Sequence, residues 1–88
     1  MSQHPRRVSL TRRAEKELKR LDANNQRRVL AALDRLADAD PSLDIKRLTG
    51  TEQSRVRVGE LRVIFQTGPQ ASEIVVHRIA PRGRAYRP

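Results

Sequence analysis

The sequence predicts a small α+β domain in which two N-terminal helices cover one face of a mostly antiparallel, four-stranded sheet, in the order β-α-α-β-β-β. Three observations carry that prediction. Residues 10–21 and 29–37 place apolar side chains at the three- and four-residue spacing of amphipathic helices. Residues 53–80 instead alternate apolar and polar positions, interrupted by Gly59-Glu60 and by Thr67-Gly68-Pro69-Gln70. A chain of 88 residues can bury only one modest core, so residues 1–88 are expected to form a single domain.

The elements follow in order. Arg7–Leu10 suits a short first strand, and Thr11 is placed to cap a helix reaching Leu21. Leu10, Ala14, Leu18 and Leu21 share one stripe of it, while Arg12, Arg13, Lys16, Lys19 and Arg20 turn outward. Asp22 caps a second helix whose stripe is Val29, Leu30, Leu33, Leu36 and Ala37, and Pro41 forbids its continuation. From Pro41 to Gln53 the periodicity lapses; this reads as an ordered connector anchored by Ile45 and Leu48, with a turn at Gly50. Strands are then expected at Gln53–Val58, Leu61–Gln66 and Ser72–Ala80.

Charge narrows the class of partner. Nineteen Lys+Arg against ten Asp+Glu give a net charge of +9, which surrounds so small a molecule with a strong positive field. Sixteen of the basic residues are arginine, the side chain whose planar fork grips phosphate bidentately, although a genome-wide bias toward arginine codons gives the same count. Cysteine is absent, which excludes disulfides and thiolate metal sites and suits a reducing compartment. Neither a membrane span nor a signal peptide is indicated, so a soluble, cytoplasmic chain without a membrane partner is expected.

The stretch RVRVGELRVIF, Arg55 to Phe65, concentrates the functional signal. A two-residue Gly-Glu loop suits a type II′ hairpin turn and fixes the register, setting Val58 opposite Leu61 and Arg57 opposite Arg62. One face then carries Val56, Val58, Leu61, Val63 and Phe65, and the other carries Arg55, Arg57 and Arg62. Like charges directly opposite each other cost on the order of 0.2–1 kcal/mol, and no acidic residue is predicted on that face to relieve them. A bound polyanion reverses the sign, because phosphate oxygens accept charge-assisted hydrogen bonds from those guanidinium groups.

The tail PRGRAYRP adds Arg82, Arg84 and Arg87 around Tyr86, the only tyrosine. Two roles stay open for Tyr86 beside simple packing: stacking on a base, or proton transfer with a phenol made more acidic by neighbouring cations. His77, in the last strand, is a candidate base or a structural residue. No cofactor is expected, since Walker and dinucleotide-binding loops and His/Cys metal clusters are missing.

Taken together, LTRRAEKELKRL, VLAALDRL, KRLTG, RVRVGELRVIF, IVVHRI and RGRAYR resemble the RelE/ParE superfamily of bacterial toxins, and its RelE branch in particular, over nearly the whole chain. The resemblance implies the toxin of a type II toxin–antitoxin system: a metal-independent endoribonuclease that cuts mRNA in the ribosomal A site by attack of a 2′-hydroxyl on the adjacent phosphate. It implies Arg55, Arg57, Arg62, Arg82 and Tyr86 as the catalytic set, with Arg62 stabilising the transition state and Tyr86 as general base. Arg12, Arg13, Lys16, Lys19, Arg20, Lys46, Arg47, Arg84 and Arg87 are then candidates for contacting RNA and ribosome. The partners implied are the 70S ribosome, mRNA and an acidic, RelB-like antitoxin. Relatives often carry an aromatic residue where this chain has Ser54 and Leu61, and histidine or lysine where it has Pro81. The alternative is a ParE-like inhibitor of DNA gyrase without nuclease activity.

Overall fold

The computed structural model describes residues 6–68 and 72–81. Its elements are β1 (Arg7–Leu10), α1 (Arg12–Lys19), α2 (Ala23–Ala37), β2 (Ile45–Arg47), β3 (Gln53–Val58), β4 (Leu61–Thr67) and β5 (Glu73–Pro81).

Both helices start where their caps dictate. The Thr11 Oγ1 accepts from the Ala14 N–H at 3.1 Å, and an Asp22 carboxylate oxygen accepts from the Asn25 N–H at 3.2 Å, each satisfying an orphan donor of a first turn. The second helix stops short of Pro41. Ala39 adopts a left-handed φ of 55°, and the Ala39 and Asp40 N–H groups return to the carbonyls of Leu36 and Arg35, closing a Schellman motif. The Asp40 carboxylate then accepts from the Ser42 N–H (2.8 Å) and from Arg35 Nε (2.9 Å), and these bonds hold its pKa down at about 2.

The sheet has five strands rather than four, in the order β1-β5-β4-β3-β2. The additional strand lies in the segment expected to be a connector: Ile45, Lys46 and Arg47 pair antiparallel with Val56, Arg55 and Ser54. Three residues, all exposed, are too few to show a two-residue period in sequence, so β2 exists by virtue of its partner. The mostly antiparallel expectation also needs one amendment, because β1 runs parallel to β5 from Arg7↔Glu73 to Leu10↔Val76. A parallel partner so distant in sequence leaves no local turn signal to read.

The helices pack on one face of the sheet, and the core between the layers contains Ala14, Val29, Leu33 and Leu36 with Val56, Val63, Phe65, Ile74 and Val76. Two expected apolar contacts fail. Leu30 is 49% exposed, with Ala32 buried in its stead, and Ile45 is 46% exposed at the margin of the sheet while Leu43 packs against the core. Beyond Val76, strand β5 outruns β1, and α1 closes the bared edge: the Thr11 N–H bonds the Val76 carbonyl (3.0 Å), Thr11 Oγ1 donates to the His77 carbonyl (3.2 Å), and Glu17 Oε1 accepts from the Ile79 N–H (2.8 Å).

Candidate functional site

The face of the sheet turned away from the helices is organised by the β3–β4 hairpin. Gly59 has φ 58°, and Glu60 is not among the residues of positive φ, as a type II′ turn requires. The pairs are Val58↔Leu61, Arg57↔Arg62, Val56↔Val63 and Arg55↔Ile64, which is the register the loop length predicts. Because Val56, Val58, Leu61, Val63 and Phe65 are buried against the helices, Arg55, Arg57 and Arg62 leave the strands on the opposite side.

The three arginines nevertheless meet different surroundings. Arg55 is only 7% exposed; its Nη1 donates to the Asp44 carbonyl at 3.2 Å and lies 3.5 Å from an Asp44 carboxylate oxygen. This corrects the expectation that no acid relieves the crowding: Asp44 sits just before β2 and reaches the residue that β2 brings alongside. Arg57, two residues nearer the hairpin tip and so on the same face, is exposed. Its cross-strand partner Arg62 is half-buried, with Nε and Nη1 withdrawn from solvent.

Other basic residues distribute as follows. Arg12, Arg13, Lys16, Lys19 and Arg20 are all exposed, but α1 belongs to the helical layer and packs on β5, so they form a separate basic surface; Lys19 pairs with Glu15 at 3.5 Å. Lys46 and Arg47 are exposed on the edge strand, Lys46 directly opposite Arg55, and Arg47 Nε donates to the Thr51 carbonyl at 3.4 Å. Arg82, Arg84, Tyr86 and Arg87 lie outside the described residues.

Three polar features had no strong signal in the sequence. Glu17 binds Arg78 (Nη2 to Oε2, 3.2 Å) as well as the Ile79 N–H, tying one more basic residue of the sheet to an acid. A bulge between Ile64 and Phe65, which pair with Arg78 and Val76, leaves His77 without a β4 partner. A groove of about 600 Å3 lies across this end of the sheet, lined in part by Gln66, Val75 and His77. Among the described residues no cluster of three or more His, Cys, Asp or Glu side chains is arranged to hold a metal ion, and no helix is long and apolar enough to cross a membrane.

Comparison with known proteins identifies the lineage. The model of the ParE toxin of type II toxin–antitoxin systems, parDE, matches residues 8–86. The chain belongs to this toxin family. Within the wider RelE/ParE superfamily, the toxin is similar to the archaeal RelE–RelB complex structure from Pyrococcus horikoshii OT3, with 30% identity, a TM-score of 0.77, and coverage of 91% of this chain and 98% of that one. The RelB–RelE antitoxin–toxin complex from Methanococcus jannaschii shares the fold at 21% identity and a TM-score of 0.73, covering 88% and 93% of the two chains. So does the YoeB/ParE toxin from Agrobacterium tumefaciens, at 17% identity and a TM-score of 0.71 over 85% and 96%. No match was found among curated proteins.

Proposed function

We propose that this toxin is a ribosome-dependent endoribonuclease that cleaves mRNA in the A site and thereby arrests translation. The observation that carries the reading is the Arg57–Arg62 pair: two guanidinium-bearing side chains in direct cross-strand register on the face the helices leave open. Like charges in direct register repel each other, and a phosphodiester bound between them reverses the sign of that interaction. The 30% identity to an archaeal RelE over nearly the full length of both chains supports the same direction.

In this reading the RNA 2′-oxygen forms a bond to the adjacent phosphorus and the bond to the 5′-oxygen breaks, leaving a cyclic phosphate and a free 5′-hydroxyl. Negative charge accumulates on the non-bridging oxygens, where Arg57 and Arg62 stabilise it by fixed charge, a role that suits arginine, which does not surrender its proton. The 2′-hydroxyl proton passes to Tyr86, acting as general base in a tail carrying Arg82, and the leaving 5′-oxygen takes its proton from a water molecule. Arg55, committed to Asp44, holds the strand rather than the phosphate. The ribosome, mRNA and an acidic, RelB-like antitoxin are the partners, and the cytoplasm is the compartment.

A second reading is favoured by the family model itself, which is that of ParE: inhibition of DNA gyrase without RNA cleavage. Induction of the toxin followed by mapping of mRNA 5′ ends on translating ribosomes separates the two. In-frame A-site cuts that vanish in Arg62→Ala and Tyr86→Phe are expected; intact mRNA with accumulating DNA breaks supports the gyrase reading instead.

A further inference from the structure

We propose that the open face carries a base-selective subsite at the end of β4 remote from the arginine pair, and that it takes a nucleobase presenting adjacent N–H donors, guanine foremost. The inference rests on the nuclease reading for its ligand class and adds a recognition element to it.

The groove there measures about 600 Å3, within the range that accommodates a small molecule, and its walls include Arg47, Glu52, Ser54, Gln66, Val75 and His77. Gln66 and Val75 are register partners on β4 and β5. Their neighbours Ile74 and Val76 are fully buried on the helical side, so Val75 and Gln66 turn toward the open one. His77 enters the lining because of the bulge: as the extra residue on β5 it is freed from the alternation of the ladder, and the bond from Thr11 Oγ1 to its carbonyl pins that backbone to the start of α1.

Among the polar groups, the Glu52 carboxylate disfavours a phosphate and favours a base. Glu52 brings a carboxylate to the groove, which repels an anion but accepts from N–H groups, and one of its oxygens already receives the Gln66 side-chain amide at 3.4 Å. Guanine offers two adjacent N–H donors to a carboxylate, whereas uracil offers one, flanked by carbonyls that a carboxylate repels. The imidazole of His77 is a planar group of the kind on which splayed-out bases stack. From Arg62 to Gln66 is four residues of β4, a span of about 14 Å. A single RNA strand lying along β4 therefore reaches both ends, with phosphates on the arginines and a base in the groove.

The test uses full-length, isotope-labelled toxin titrated with nucleosides, which carry no phosphate and so do not report on the arginine pair. Guanosine is expected to shift the Gln66 side-chain amide, the Val75 methyls and the His77 ring while leaving Arg57 unmoved, and to bind about tenfold more tightly than uridine. E52Q is expected to remove that preference, and Gln66→Ala, which leaves the carboxylate in place, to weaken guanosine while retaining it. Equal binding of the two nucleosides, shifts confined to Arg57 and Arg62, no binding, or an unchanged preference in E52Q overturns the subsite. The titration is independent of cleavage: absence of A-site cuts defeats the nuclease reading, whereas cuts combined with any of these negative titrations defeat the subsite alone.

Discussion

The sheet margin at β2 and the tip of the β3–β4 hairpin treat arginine in opposite ways. At the margin, Arg55 is buried and bound to Asp44; at the tip, Arg57 leaves the same face of the same strand, faces another arginine and is exposed. Arg78 is likewise half-buried and held by Glu17, and Arg35 on α2, although exposed, is held by Asp40. Charge count is therefore a poor guide to function in so basic a chain. A scaffold cation such as Arg55 is one that the fold both buries and supplies with an acid, whereas the register sets Arg57 against a second arginine.

The comparison breaks most visibly in activity. Arg62→Ala is expected to lower the rate of mRNA cleavage on the order of 10²–10³-fold, the cost of removing one preorganised transition-state donor, as read by 5′-end mapping after matched induction. Conversely, Arg55→Gln is expected to act through stability: it removes a buried charged donor from Asp44 and costs about 1.5–3 kcal/mol in urea denaturation. If Arg55→Gln kept full stability yet lost cleavage, Arg55 would belong with Arg57 after all.

Glu17→Ala extends the test to the other margin. It frees Arg78 and strips the Ile79 N–H of its acceptor at the edge of β5, for an expected loss of about 1–3 kcal/mol. A smaller effect is expected from Asp40→Asn. The folded pKa of about 2 lies below the ordinary 3.8, so the stabilisation is fully present above pH 3.8 and is lost as the pH falls through 2. Wild type should therefore exceed the variant in stability at neutral pH, and the gap should close on acidification toward pH 2.

Much of this arrangement was legible in the sequence, and the reasons for the remainder are specific. Gly59-Glu60 left one hairpin register available, so the pairing of Arg57 with Arg62 and the burial of Val56 and Val63 could be read directly. Thr11 and Asp22 announced both helix starts. The partner of Arg55 could not be read, because Asp44 reaches it only through β2, a strand too short and too exposed to show a period. The bulge that displaces His77 and the parallel pairing of β1 depend on tertiary contacts that no local pattern encodes.

If Arg57 is placed for a polyanion at the expense of folding, the stability of Arg57→Gln shows it. The variant keeps much of the side-chain stem while removing one of two opposed charges. It is expected to be more stable than wild type by about 0.2–1 kcal/mol in urea at low ionic strength, with a gain that shrinks as salt is raised, and to have lost cleavage. A variant that is less stable than wild type at low salt, or one that still cleaves mRNA, contradicts that placement.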